Sequence, residues 1–169
     1  MCATHGKEFW NTIPITCCGT IKKSWNTKEV EFDPGIAVCS SESDIAYIYL
    51  HESDGQDRVY LPIACGVFEA SAIANKLRKI PFPRPLTHDA MRSVIQSLGA
   101  TLRSVVIDSL DSEKSCYYAK LRIADRLDTE CLVDVRPSDA IALALAADAP
   151  IYVASSVLQR ADGYGYRYG

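Results

Sequence analysis

Two short strings place an imidazole, carboxylates and guanidinium groups where chemistry on an anion is feasible. In Thr87-His88-Asp89 an imidazole and a carboxylate fall in the first turn of an expected helix. Backbone N–H groups at such a turn already favour negative charge. Arg84 stands three residues earlier and can reach the same anion with two parallel N–H groups. Arg136-Pro137-Ser138-Asp139 repeats the plan, with an arginine just ahead of a capped helix start that bears an acid. Glu69 offers a third acid at a third helix start, and His88, one of three histidines, is the best placed to pass a proton. Each residue also has a plainer duty. Acids in a first turn are common partners of the helix dipole, Arg136 can pair with Asp134 or Asp139 to fix a corner, and a helix-start histidine is often a packing residue.

The elements that must position these groups follow from periodicity. Glu29–Phe32 alternates, Ile36–Cys39 is a short apolar run after an Asp-Pro-Gly turn, and Asp44–Leu50 and Arg58–Cys65 flank Ser53-Asp54-Gly55. Together they predict an antiparallel meander. The period then changes: Ala70, Ile73, Ala74, Leu77 and Ile80 mark one face of a helix over 68–80. The proline-rich stretch 81–85 stops it. Thr87 is the expected N-cap of a second helix with Val94, Ile95 and Leu98 as its stripe and Gly99 at its left-handed end. Three strands (102–110, 116–123, 130–135), a helix from Pro137 with Ser138 as cap, and a final strand 151–154 complete the plan. Ala140–Ala147 is apolar on nearly every side and therefore belongs against a sheet. Ser71-Ala72-Ile73-Ala74 and Asp139-Ala140-Ile141-Ala142 echo one another, which fits two similar strand–helix units. The expected class is α+β, with mostly antiparallel sheet and about three helices.

With 169 residues, 48% of them hydrophobic and 23% charged, the chain suits one buried domain. The expected division is an N-terminal extension over 1–27, a domain over 28–160 and a flexible tail over 161–169. No apolar run approaches the roughly 18 residues that span a bilayer, and the start lacks the pattern of a secretory signal. A cytoplasmic, intracellular location is the default expectation, with nucleus or organelle left open. The seven cysteines are odd in number and contain no C-x-x-C pair. Cys39, Cys65, Cys116 and Cys131 sit singly in apolar or strand-like stretches, as reduced, buried thiols would. Cys17-Cys18 is the one unusual pair. Net charge is −3, which invites no polyanion globally, yet Lys76, Arg78, Lys79, Arg84 and Arg92 face a single acid, Asp89, over 76–92.

Four stretches in order closely resemble the bifunctional nuclease domain family. They are Leu61-Pro62-Ile63 with Glu69-Ala70 and Ile73; Arg84-Pro85-Leu86-Thr87-His88-Asp89; Val105-Val106-Ile107-Asp108; and Asp134-Val135-Arg136-Pro137-Ser138-Asp139-Ala140-Ile141-Ala142. The resemblance covers about 29–158. Two departures stand out: Ala64-Cys65 replaces the family's usual Trp-Ile, and the first 27 residues match nothing. The resemblance implies a nuclease acting on DNA and RNA. The family supplies no agreed catalytic set, so the site roles rest on the residues' own chemistry: if the two strand–helix units face each other, Arg84 and Arg136 clamp a phosphate, with Lys76, Lys79 and Arg92 as further nucleic-acid contacts. His88, Asp89, Arg136 and Asp139 would form the catalytic set, and Glu69, Asp89 and Asp139 would be ligands for Mg2+. A binding module for nucleic acid or protein, without catalysis, is the alternative. Sheet edges and the apolar third helix make a homo-oligomer, by default a dimer, the expected assembly.

Overall fold

The computed structural model describes residues 12–16, 29–31, 36–39, 45–52, 60–154 and 156–157. The expectations for Cys17-Cys18 and for the tail over 161–169 lie outside these residues. Among them the chain forms nine strands and three helices. In order these are β1 (Thr12–Thr16), β2 (Glu29–Glu31), β3 (Ile36–Cys39), β4 (Ile45–Glu52), β5 (Tyr60–Gly66), α1 (Val67–Leu77), α2 (Thr87–Ser97), β6 (Thr101–Asp111), β7 (Cys116–Ala124), β8 (Glu130–Val135), α3 (Pro137–Ala147) and β9 (Ile151–Ala154). The class is α+β, as expected.

The meander forms because its alternation matches the pleat. β4 and β5 pair antiparallel with Ala46 opposite Cys65, Ile48 opposite Ile63 and Leu50 opposite Leu61, and all six side chains are buried. A one-residue slip would turn the whole set outward, so burial fixes the register. β6 and β7 form the longest ladder, flanked by β8 antiparallel to β7 and by β9 parallel to β6. That last pairing is the one parallel ladder among the described residues. β1 joins the two sheets, since it pairs with β4 through Ile15 and Thr16 and with β9 through Thr12–Pro14. This strand falls inside the segment read from sequence as an extension without a core element. Its Trp- and Cys-flanked TIPIT stretch lacks a clear period, and only distant partners make it a strand.

β5 runs directly into α1 and β8 into α3, the two strand–helix units of the internal echo. Ser71–Ala74 lies in α1 and Asp139–Ala142 in α3, and the two helices pack on each other. α3 is the central element: Ser138, Ala140–Ala144 and Ala146 are all buried. Its small side chains let it lie close to α1, α2 and the sheet. Helix starts depart from expectation by one residue in α2 and two in α3. Leu86 and Arg136, not Thr87 and Ser138, are the extended N-cap residues, and Thr87 and Pro137 begin the helices. Pro137 suits the first helical position because its missing N–H is not needed there. Gly99 has φ +78, the left-handed stop its position requires. Cys65 is buried as expected, but Cys116 and Cys131 are exposed, because the ends of β7 and β8 lie uncovered.

Candidate active site

Arg136 joins the two strand–helix units. It leaves the end of β8 as the N-cap of α3, so its side chain projects over the starts of both α3 and α1. Nε donates to Asp139 Oδ2 at 2.7 Å and an Nη donates to Glu69 Oε1 at 2.6 Å. Two carboxylates from two helix starts thus grip one guanidinium, and Arg136 is held firmly protonated, first by the bond to Asp139 and then by that to Glu69. The side chain is still 66% exposed, so its outer face meets solvent.

Asp139 carries a second contact. Its Oδ1 lies 3.4 Å from His88 Nε2 at the start of α2. His88 is buried although its ring is polar. One carboxylate therefore bridges an imidazole and a guanidinium drawn from 51 residues away and from the adjoining turn. These groups line a cleft of about 600 Å3 between α1 and α2, walled also by Phe68, Asn75, Leu86 and Met91. Phe68 and Met91 belong to no chemical motif. The signal available for Phe68 was its place immediately before Glu69, on a helix start whose outward side would otherwise be polar.

The other expected site residues are placed differently. Asp89 turns away from Asp139, accepting a hydrogen bond from Lys76 of α1 and the Leu86 N–H at 3.2 Å. The Lys76 bond, ahead of all other causes, holds its carboxyl below the usual carboxylate range. Lys76 is correspondingly committed to this pair. Arg92, expected among the nucleic-acid contacts, points inward and donates to the Ala146 carbonyl at 2.9 Å. It serves the negative end of α3 there. Arg84 and Lys79 are exposed on the link between α1 and α2, Lys79 at a left-handed turn with φ 54.

The three carboxylates expected to hold Mg2+ do not converge. Glu69 and Asp139 meet on Arg136, whose guanidinium stands between them, while Asp89 faces Lys76. Among the described residues no group of three or more His, Cys, Asp or Glu side chains is placed to hold a metal ion. The donor set does not fit a magnesium centre in this arrangement. With His88 neutral, the cluster around Arg136 carries one more negative than positive charge. Behind it, the Cys65 thiol is pushed up to about 11, first by burial and then by the charge of Glu69.

The sequence is similar to those of known proteins. An uncharacterized protein of Mycobacterium tuberculosis is 45% identical over 114 residues, covering 68% of this chain and 65% of that protein. Bifunctional nuclease 1 of Oryza sativa subsp. japonica is 28% identical over 130 residues, covering 76% of this chain and 38% of the plant protein. The chain thus spans less than two thirds of the length of either relative. No described helix is long and apolar enough to cross a membrane. The bifunctional nuclease domain matches residues 48–164, most of the sequence, and the chain belongs to that family.

Proposed function

We propose that this domain hydrolyses phosphodiester bonds of DNA and RNA with little sequence preference, with Arg136 holding the phosphate and His88 moving the proton. The observation that carries the reading is the Asp139 carboxylate shared between His88 and Arg136 at an open cleft. A carboxylate on Nε2–H fixes the tautomer that leaves Nδ1 as proton acceptor. Nδ1 takes a proton from water as its oxygen attacks phosphorus. The ester P–O bond breaks, and the imidazolium returns the proton to the departing oxygen. Water, rather than a ribose 2′-OH, as nucleophile lets one site cut both polymers. Arg84 and Lys79, exposed on the link between α1 and α2, add contacts to neighbouring phosphates without reading bases. Magnesium takes no step in this proposal, because the carboxylates expected to hold it grip Arg136 and Lys76 instead. The chain also self-associates, along the edge of β8 that meets no strand among the described residues.

The second reading, a binding module without catalysis, draws on the excess of negative charge around Arg136. One experiment separates them: cleavage of single- and double-stranded DNA and RNA by purified protein, with magnesium or with chelator. The arms are the parent, His88→Ala, Arg136→Lys and Arg136→Ala, each with an unchanged circular dichroism spectrum. The catalytic reading expects a loss of at least about 100-fold for His88→Ala, the low end for a general base. Arg136→Lys should fall as well, because an ammonium lacks the two-pronged fork. Variants that cut like the parent, or a parent that cuts nothing, hand the site to the binding module.

A further inference from the structure

Arg136 borders a second and larger cleft. This one, of about 850 Å3, lies on the side away from His88, and Val135 and Arg136 are the residues it shares with the first. Its volume falls within the roughly 300–1,000 Å3 typical of small-ligand sites. The walls differ in chemistry from those of the first cleft. Tyr47 on β4 and Tyr118 on β7 face it together with Pro62, Ala64 and Leu110, while Asp134 and Ser138 supply polar atoms. Tyr47 and Ala64 are direct cross-strand partners, so the small Ala64 side chain leaves the space beside the Tyr47 ring open. Tyr118 is 40% exposed.

We infer that this tyrosine-lined cleft receives an unpaired base flanking the phosphate held at Arg136, which makes single-stranded nucleic acid the substrate class. The inference rests on the proposed role of Arg136 and deepens it. A phosphate on the outer face of Arg136 has one neighbouring nucleoside on the His88 side and the other at the mouth of the tyrosine cleft. Aromatic and apolar walls suit a base because every base presents a π-face, whatever its identity. A base within a duplex is paired and stacked, and must be pulled out before it can enter such a cleft. Low sequence preference and strand selectivity then come from the same surface.

The test uses full-length protein and two fluorescent 12-nucleotide DNA strands at one fixed salt concentration. One carries bases, and the other is an abasic strand with the same phosphates. Anisotropy gives affinity, and cleavage of the base-bearing strand is followed in parallel. Ala64→Trp fills the cleft and Tyr118→Ala removes one wall, and neither changes Arg136. The parent should bind the base-bearing strand about tenfold or more tighter than the abasic one, the scale of a single stacked base. Both variants should lose that preference while keeping the abasic affinity. If Ala64→Trp and Tyr118→Ala discriminate and cut as the parent does, the cleft takes no base and the inference fails while the Arg136 reading stands. If the parent shows no preference between the strands, the inference fails in the same way. If Arg136→Lys binds both strands as tightly as the parent, the underlying reading fails with it.

Discussion

At the scale of single residues, identity alone did not decide role; neighbours did. His88, Asp139 and Arg136 were legible as candidates because each sits at a helix start, and the structure joins them through one carboxylate. Asp89 looked equivalent in sequence, yet its contact with Lys76 directs it elsewhere. That pairing was invisible because Lys76 lies on another helix, across a proline-rich link. Cys65 shows the same dependence. Burial and the neighbouring Glu69 both disfavour the thiolate, and the thiol rises to about 11. The thiolate is the nucleophilic form, so at pH 8 native Cys65 is almost wholly unreactive, whereas Cys116 and Cys131 are exposed. Alkylation with iodoacetamide at pH 8, mapped by peptide mass, should label Cys116 and Cys131 first and Cys65 only after unfolding. Early labelling of Cys65 would show that its surroundings open readily.

At the scale of elements, periodicity carried most of the fold. β3, β8 and β9 end where their patterns end, and the meander, the β6–β7 ladder and the three helices all stand where alternation or a 3–4 spacing put them. Boundaries moved where the deciding partner is remote. α1 stops at Leu77 rather than continuing to Ile80, because the chain turns through left-handed Lys79 before the prolines arrive. Gly99 was readable as the stop of α2 from its type alone, but the reason it must be glycine has a second part. A Cβ there would run into the Arg126 guanidinium from the β7–β8 turn, on top of the strain of φ +78. Gly99→Ala should therefore lower stability by about 1–2 kcal/mol, from left-handed strain and the displaced arginine. Thermal or urea unfolding measures this, with a smaller loss expected when Arg126→Ala is combined with it. Equal losses in the two backgrounds would remove the arginine from the account.

At the scale of the whole molecule, what the sequence concealed was closure. Which strand ends a sheet depends on long-range pairing, and neither β1 between the sheets nor β8 at the margin is marked by its own residues. β8 pairs with β7 on one side, and its other side meets no strand among the described residues. Val133 lies opposite buried Leu121, on the face that continues the core, yet is 40% exposed. A second copy can satisfy both the open backbone and this apolar face by antiparallel pairing about a two-fold axis. A register centred on Val133 keeps Glu130 from facing Asp134. In light scattering coupled to size exclusion, the parent should run as a dimer and Val133→Lys as a folded monomer, since the lysines would stand directly opposite each other. A monomeric parent at about 100 μM would discard this assembly.

The grip of Glu69 and Asp139 on Arg136 has a consequence for what the site can hold. Both carboxylates are tethered to the same domain, so they rival any incoming phosphate at an effective concentration in the millimolar range or above. A lone phosphate or mononucleotide at lower concentration loses that contest almost every time. A polymer does not, because contacts elsewhere along its backbone keep the next phosphate at hand after each failed exchange. Under the proposed role of Arg136, the clasp would act as a filter on chain length, favouring long strands over small phosphates.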